Sequence, residues 1–274
     1  MTSNELTTHI FEKGSYLCVG LDTDIHKVPS HIFNESSDPV FSFNKAIIDA
    51  TKDLCVAYKI NTAFYESAGL RGWESLQRTV EYIPSTHFKI ADAKRGDIGN
   101  TSSQYAKAFF ETYPFDAITV APYMGRDSVA PFMQYPGKWV ILLALTSNEG
   151  SHDFQLQPFA NNEFLYEKVI MEAQTWDGPG GLMFVVGATR TEQIAHIRKL
   201  APEHFFLVPG VGFQGGNLRE ISRQGLTTQG GLLVNVSRAI IYASSQKNFA
   251  EEARIIAQQY QIEMSEYLKE VKSN

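Results

Sequence analysis

Between Phe88 and Phe110 the chain reads FKIADAKRGDIGNTSSQYAKAFF, which places Asp92, Lys94, Arg95 and Asp97 within six positions. An ammonium interleaved with carboxylates at this spacing suits two uses. The charges can lock one another in place, since two unit charges about 4 Å apart interact by roughly 4 kcal/mol at an effective dielectric near 20. They can also serve proton transfer, because neighbouring carboxylates favour the charged form of a lysine. That suits a general acid and disfavours a Schiff-base lysine, which needs a neutral amine. Lys59, in AYKIN, is a second lysine able to join the array. The competing structural use is a salt-bridge lattice that closes one end of the fold.

Which use applies depends on the elements that carry these residues. Short apolar runs recur at 16–22, 55–61, 87–94, 117–123, 139–145, 181–189, 204–212 and 231–237. Most are near-continuously apolar, as in parallel strands covered on both faces. Helical patterns fall between them at 40–53, 66–82, 163–176, 191–200 and 248–271. Eight strands alternating with helices predict an α/β fold, a (β/α)8 TIM barrel. No linker divides the chain, so one domain is expected over 1–274, with a helix at each end.

Chemistry in such barrels sits at the C-terminal strand ends. Asp22 ends the first run, Lys59 and Asn61 the second, and Asp92 and Lys94 the third, while Ser147, Gln214 and Arg238 follow the fifth, seventh and eighth. Each alone reads as a residue entering solvent, but together they converge on one mouth. The period of a strand puts Asp92 and Lys94 on one face and Ala91 and Ala93 on the other. Asp97 lies beyond the strand, where Gly96 and Gly99 allow a sharp turn into the next helix. PGVGFQGGN (209–217) offers four glycines whose amides can approach an oxyanion, and VNVSRAIIY (234–242) supplies Arg238 to grip phosphate. The polar connection at 146–161 is long enough to be a functional loop.

Composition narrows the class. The formal charge of −6 and the lack of a Lys/Arg block argue against nucleic acid, although Tyr65, Tyr105 and Phe213 are conceivable stacking residues. Cys18 and Cys55 lie in apolar runs, as buried thiols in a reducing compartment do. No membrane-length apolar run and no signal-peptide pattern is seen at the start, so a cytoplasmic protein is expected. The seven histidines show no close pairing, and the carboxylates are interleaved with lysines that would compete with a cation, so no metal is expected.

At this level of detail the chain resembles the orotidine 5′-monophosphate decarboxylase family, in its longer bacterial-type branch. DAKRGDIGNT is similar to that family's Asp-x-Lys-x-x-Asp-x-x-x-Thr signature at Asp92, Lys94, Asp97 and Thr101. GLDTD, AYKIN, ALTSN, GVGFQGG and NVSRAI match further segments, in order, at Asp22, Lys59, Ser147, Gln214 and Arg238. The resemblance implies cofactor-independent loss of CO2 from orotidine 5′-monophosphate to give uridine 5′-monophosphate, the last step of de novo pyrimidine nucleotide synthesis. It implies that Lys94 protonates C6, that Asp92 sits beside the departing carboxylate, and that Lys59 links the aspartates to the ribose. Asp22 would take a ribose hydroxyl, Ser147 (or Thr146) the pyrimidine edge, and Gln214 and Arg238 the phosphate. The loops at 147–160 and 211–217 would close over the nucleotide. It further implies a homodimer in which Asp97 and Thr101 complete the partner's site. Two rival readings remain: a metal-dependent sugar-phosphate decarboxylase or epimerase on the same barrel, and a nucleotide-binding barrel without turnover.

Overall fold

The eight apolar runs become eight parallel strands in a computed structural model that describes residues 1–188, 191–212 and 217–273. They are β1 (Leu17–Gly20), β2 (Ala57–Asn61), β3 (Phe88–Arg95), β4 (Ala117–Val120), β5 (Trp139–Leu145), β6 (Gly181–Val186), β7 (Phe205–Pro209) and β8 (Leu232–Val236). Each pairs with its neighbour in sequence, and β8 returns to β1, so the sheet closes as a (β/α)8 barrel. Apolar residues on both strand faces are what this architecture requires. One face fills the barrel, and the other packs against helices such as Pro39–Thr51, Gly69–Tyr82 and Leu165–Ala173.

Register identifies the inward face, since residues paired across parallel strands point to the same side. Gly20 is level with Lys59, Lys59 with Ile90, and Leu143 with Val185, which in turn is level with Leu207. Lower in the barrel Trp139 packs edge-on against Phe88 and Phe205, with ring centroids 6.1 and 6.3 Å apart. Gly181 is level with Trp139, and a Cβ there would fall 2.2 Å from the indole, so glycine makes room for the plug. Above this apolar floor the inward positions turn polar.

The helix Ser3–Lys13 is started by a capping box between Thr2 and Glu5 and buries Leu6 and Ile10 completely. Lys13 at its last turn donates to the carbonyls of Lys52 and Cys55 at 2.7 and 2.8 Å and lies 2.9 Å from His87 Nε2. Burial, and then the Lys13 ammonium, push the His87 imidazole down to about 4. An unfolded histidine titrates near 6.5, so between about pH 6.5 and 4 the unfolded chain binds a proton that the native chain refuses. Stability held above that window is lost as pH falls through it, by about 1 to 3 kcal/mol. Denaturant titrations from pH 7 to 4 are expected to show this slope and His87→Gln to flatten it. An unchanged slope in the variant would contradict the assignment.

Two elements differ from the sequence reading. The helix expected over 66–82 is two pieces, Ala63–Glu66 and Gly69–Tyr82, parted where Gly69 takes φ 64°. The helix expected after the Gly96 and Gly99 turn begins at Gly99 and does not stay α-helical: it passes into a π-helical turn at Ala108–Thr112. Cys18 and Cys55 are both buried free thiols.

Candidate active site

The polar inward positions surround a cavity of about 310 Å³ at the C-terminal strand ends. Its wall carries Asp22, Lys59, Asp92, Lys94, Ser147 and Arg238, and its floor is Leu143, Val185 and Leu207. Lys59 is 4% exposed and donates to Asp22 Oδ1 at 3.0 Å and to Asp92 Oδ2 at 2.9 Å. Burial opposes its charge, yet the carboxylates of Asp22 and Asp92 outweigh that and hold its pKa above the ordinary lysine value. Asp92 shows the converse. Burial would raise its pKa, but the Lys59 and Lys94 ammoniums hold it well below the usual carboxylate range. Lys94 Nζ donates to Asp92 Oδ1 at 2.5 Å, with its side chain half exposed toward the cavity. The result is a fixed chain of alternating charge, Asp22–Lys59–Asp92–Lys94.

Strand alternation alone does not deliver Lys94 to this point. β3 pairs with β4 at Ala91↔Ile118 and next at Arg95↔Val120, a bulge, and within it Lys94 adopts φ 49°. A left-handed backbone costs a non-glycine residue about 1–2 kcal/mol and persists only where its surroundings enforce it. Thr119 contributes to that enforcement: its Oγ1 accepts from the Lys94 N–H at 2.9 Å and donates to Asp92 Oδ1 at 3.1 Å. Thr119 was not singled out from the sequence, because one hydroxyl in an apolar strand looks like core filler.

Ser237 and Asn235 escaped for the same reason. Ser237 Oγ donates to Asp22 Oδ2 at 2.8 Å and accepts from Asn235 Nδ2 at 3.2 Å, carrying the network round to β8. Asn235 Oδ1 is buried and has no hydrogen-bond partner among the described residues. A Cβ on Gly20 would sit 1.8 Å from Ser237 Oγ, so that strand end must be glycine for Ser237 to reach Asp22. Gly20→Ala is expected to lower kcat/KM by roughly 10- to 100-fold through displacement of Asp22. Wild-type kcat/KM in that variant would show that Ser237 does not hold Asp22 in working position.

The remaining positions divide. Thr146 and Ser147 both line the cavity, but the Thr146 hydroxyl is spent on Asn148 and Gln155, at 2.5 and 2.9 Å. The connection after β5 is therefore ordered: Gln155 folds back onto Thr146, and a 3-10 turn spans Glu149–His152. Arg238 lies at the mouth, at the start of the short helix Arg238–Ile241. Gln214 and Phe213 lie outside the described residues. Asn61 does not join the cavity; its Oδ1 accepts from the Ala63 N–H at 3.2 Å and starts the following turn. Asp97 and Thr101 are also outside the cavity lining, on the turn and helix after β3. Asp97 Oδ1 accepts from the Ile98 N–H at 2.7 Å, and buried Ser102 ties the turn by donating to the Asp97 carbonyl at 2.6 Å.

Tyr65 is buried and donates to the Leu21 carbonyl at 3.0 Å, and Tyr105 packs against Arg95, so neither ring is a free stacking surface. Among the described residues no three His, Cys, Asp or Glu side chains are grouped to hold a metal, and no helix is long and apolar enough to cross a membrane.

Comparison with known proteins identifies the family. Residues 15–253 match the family model described as orotidine 5′-phosphate decarboxylase / HUMPS family. A Bacteroides fragilis orotidine 5′-phosphate decarboxylase is 55% identical over 99% of this chain and 100% of its own length. The protein of that name from Christiangramia forsetii is 57% identical over the same shares. Among solved structures, Leishmania donovani OMP decarboxylase superposes with a TM-score of 0.79 at 35% identity, over 96% of this chain and 99% of that one. Leishmania donovani UMP synthase superposes with a TM-score of 0.80 at 37% identity, over 93% of this chain, which spans 56% of that longer protein. With identity at this level running the length of the barrel that carries the charged chain, the protein belongs to the orotidine 5′-phosphate decarboxylase / HUMPS family.

Proposed function

We propose that the chain is an orotidine 5′-phosphate decarboxylase, a carboxy-lyase that converts orotidine 5′-monophosphate to uridine 5′-monophosphate and CO2 without a cofactor. The observation that carries this reading is the Lys59–Asp92–Lys94 chain at the mouth of a nucleotide-sized cavity, in a protein 55–57% identical to enzymes of that name. In the reaction the C6–carboxylate bond breaks, CO2 leaves, and the electron pair stays on C6. The Lys94 ammonium stabilises that charge and then gives C6 its proton, which water later restores. Asp92 stands beside the departing carboxylate and, with Lys59 behind it, keeps Lys94 from swinging away. Because the ammonium is already placed, little reorganisation remains for the moment of reaction.

Asp22 and Lys59 take the ribose hydroxyls, Ser147 the pyrimidine edge, and Arg238 with Gln214 the phosphate. Ser147 is preferred to Thr146 because the Thr146 hydroxyl is already engaged within its own loop. Phosphate binding at one end of the cavity thereby helps to organise the reacting end. The chain works as one domain in the cytoplasm, in de novo pyrimidine synthesis.

The site is completed by a second copy. Asp97 and Thr101 do not line the chain's own cavity; exposed Ile98 follows Asp97 directly, and exposed Met124 reaches to 3.8 Å from where a Cβ on Gly96 would stand. Exposed Leu70 and Tyr123 follow β2 and β4, the strands on either side of β3, and add apolar surface of the kind a two-fold interface covers. Mixing inactive Lys94→Ala with inactive Asp97→Ala is expected to restore about a quarter of wild-type activity, since a mixed dimer holds one intact site. No recovery, once mass spectrometry has verified subunit exchange, would count against the shared site.

The direct test follows the ultraviolet absorbance of orotidine 5′-monophosphate with chelator-treated protein. Rapid conversion to uridine 5′-monophosphate is the expected result. Tight product binding without turnover would favour a silent binding barrel, and activity only with an added divalent ion would favour the metal-dependent rival.

A further inference from the structure

Arg95 stands between Lys94 and Asp97, yet it lines no part of the cavity, and the chemistry above gives it no role. Its surroundings bear on Lys94. Four residue steps of β3, from Ala91 to Arg95, are matched by two of β4, and the surplus is absorbed where Lys94 takes its left-handed φ of 49°. A bulged, left-handed segment relaxes unless it is held on both sides. Thr119 holds the Lys94 N–H.

Arg95 holds the other side. Its Nη1 donates to the Ala93 carbonyl at 3.1 Å, bridging across Lys94, and its Nη2 pairs with Glu66 in the helix after β2. The guanidinium lies 5.5 Å from the ring centroids of both Tyr105 and Phe109, which sit four residues apart on one helical face after β3. Its own carbonyl accepts from the Ala121 N–H at 3.2 Å. One side chain thus ties the Lys94 backbone to the elements after β2 and β3. A planar, multiply donating guanidinium can do this, whereas a lysine ammonium lacks the fork and the flat face.

We infer that Arg95, braced by Glu66, is a positioning residue for the proposed decarboxylation: it keeps Lys94 in the left-handed conformation that aims its ammonium at Asp92 and the cavity. The inference rests on the reading of Lys94 as proton donor. It separates turnover from binding, because Asp22, Ser147 and Arg238 follow other strands, β1, β5 and β8, whereas the Arg95 guanidinium bonds to Ala93 and Glu66.

The test measures kcat and KM for orotidine 5′-monophosphate and Kd for uridine 5′-monophosphate in wild type, Arg95→Met and Glu66→Gln. Turnover is expressed per site that binds the product nucleotide. Arg95→Met is expected to lower kcat about 30- to 100-fold, as a misplaced catalytic group does, while KM and Kd change by less than about threefold. Glu66→Gln keeps the guanidinium but loosens its anchor, and about a 3- to 10-fold loss of kcat is expected. Turnover per binding site unchanged in Arg95→Met would overturn the inference, as would a KM and Kd that rise in step with the loss. If Arg95→Met does not fold, Glu66→Gln decides by the same criterion. Wild-type protein that binds the product but does not turn over would instead overturn the decarboxylase reading, and this inference with it.

Discussion

Lys94→Ala is expected to lose roughly 10⁴-fold or more in kcat while still folding and binding uridine 5′-monophosphate. Two contributions are removed together. General acid catalysis is worth about 10²–10⁴-fold, and a preplaced charge facing the developing anion about 10²–10³-fold. The stability cost is small by comparison. The Lys94 side chain is half exposed, so its pairing with Asp92 contributes about 1 kcal/mol or less, and Asp92 keeps Lys59 as a partner. Steady-state kinetics with a thermal melt on the same preparation measure both. Turnover within tenfold of wild type would sink the assigned role, whatever the melt showed.

Lys59→Met should fail differently, in stability as well as in turnover. Lys59 is almost wholly buried between Asp22 and Asp92, and its loss leaves two carboxylates facing a neutral side chain. Removing one partner of such a pair costs about 3–5 kcal/mol at neutral pH. The pH dependence follows from the shifts. The raised pKa of Lys59 contributes stability that is present below the unfolded lysine value and lost as pH rises through the folded one. The lowered pKa of Asp92 contributes stability that is present above the unfolded aspartate value and lost as pH falls through the folded one. The wild-type network is therefore at full strength between about pH 4 and 10. In Lys59→Met, burial acts on Asp92 with only Lys94 opposing it, so the carboxyl protonates more readily and the deficit should shrink on acidification. Denaturant titrations at pH 7.5 and 5 read this directly. A deficit below about 1 kcal/mol at pH 7.5, or one that grows at pH 5, would contradict the account.

The sequence reading and the structure agree most closely where the signal is hydrophobic. The run at 139–145 is β5 residue for residue, and 191–200 is the helix Thr191–Leu200, because unbroken apolar runs and 3.6-residue periodicity record burial directly. Asp22, Lys59, Asp92, Lys94, Ser147 and Arg238 were legible as cavity residues because charge or polarity at an apolar strand end is conspicuous. Thr119, Ser237 and Asn235 were not, since a neutral polar side chain inside a strand does not announce which way it points. Gly20 was equally silent: its need is set by Ser237 Oγ, 217 positions further along the chain.

Composition and spacing by themselves determined a closed eightfold barrel, a set of charged and polar residues at its C-terminal strand ends, and among them a lysine interleaved with carboxylates. These follow from short-range pattern, in which each residue's type reports its own burial or charge. Only the tertiary structure decided that Lys59 touches Asp22 and Asp92 together, that Lys94 reaches Asp92 through a bulge and a left-handed backbone, and that Asp97 leaves the cavity its motif partners enter. Those outcomes depend on strand register and on side chains brought together from β1, β2, β3, β4 and β8. Barrel closure sets such distances, and local sequence does not encode them.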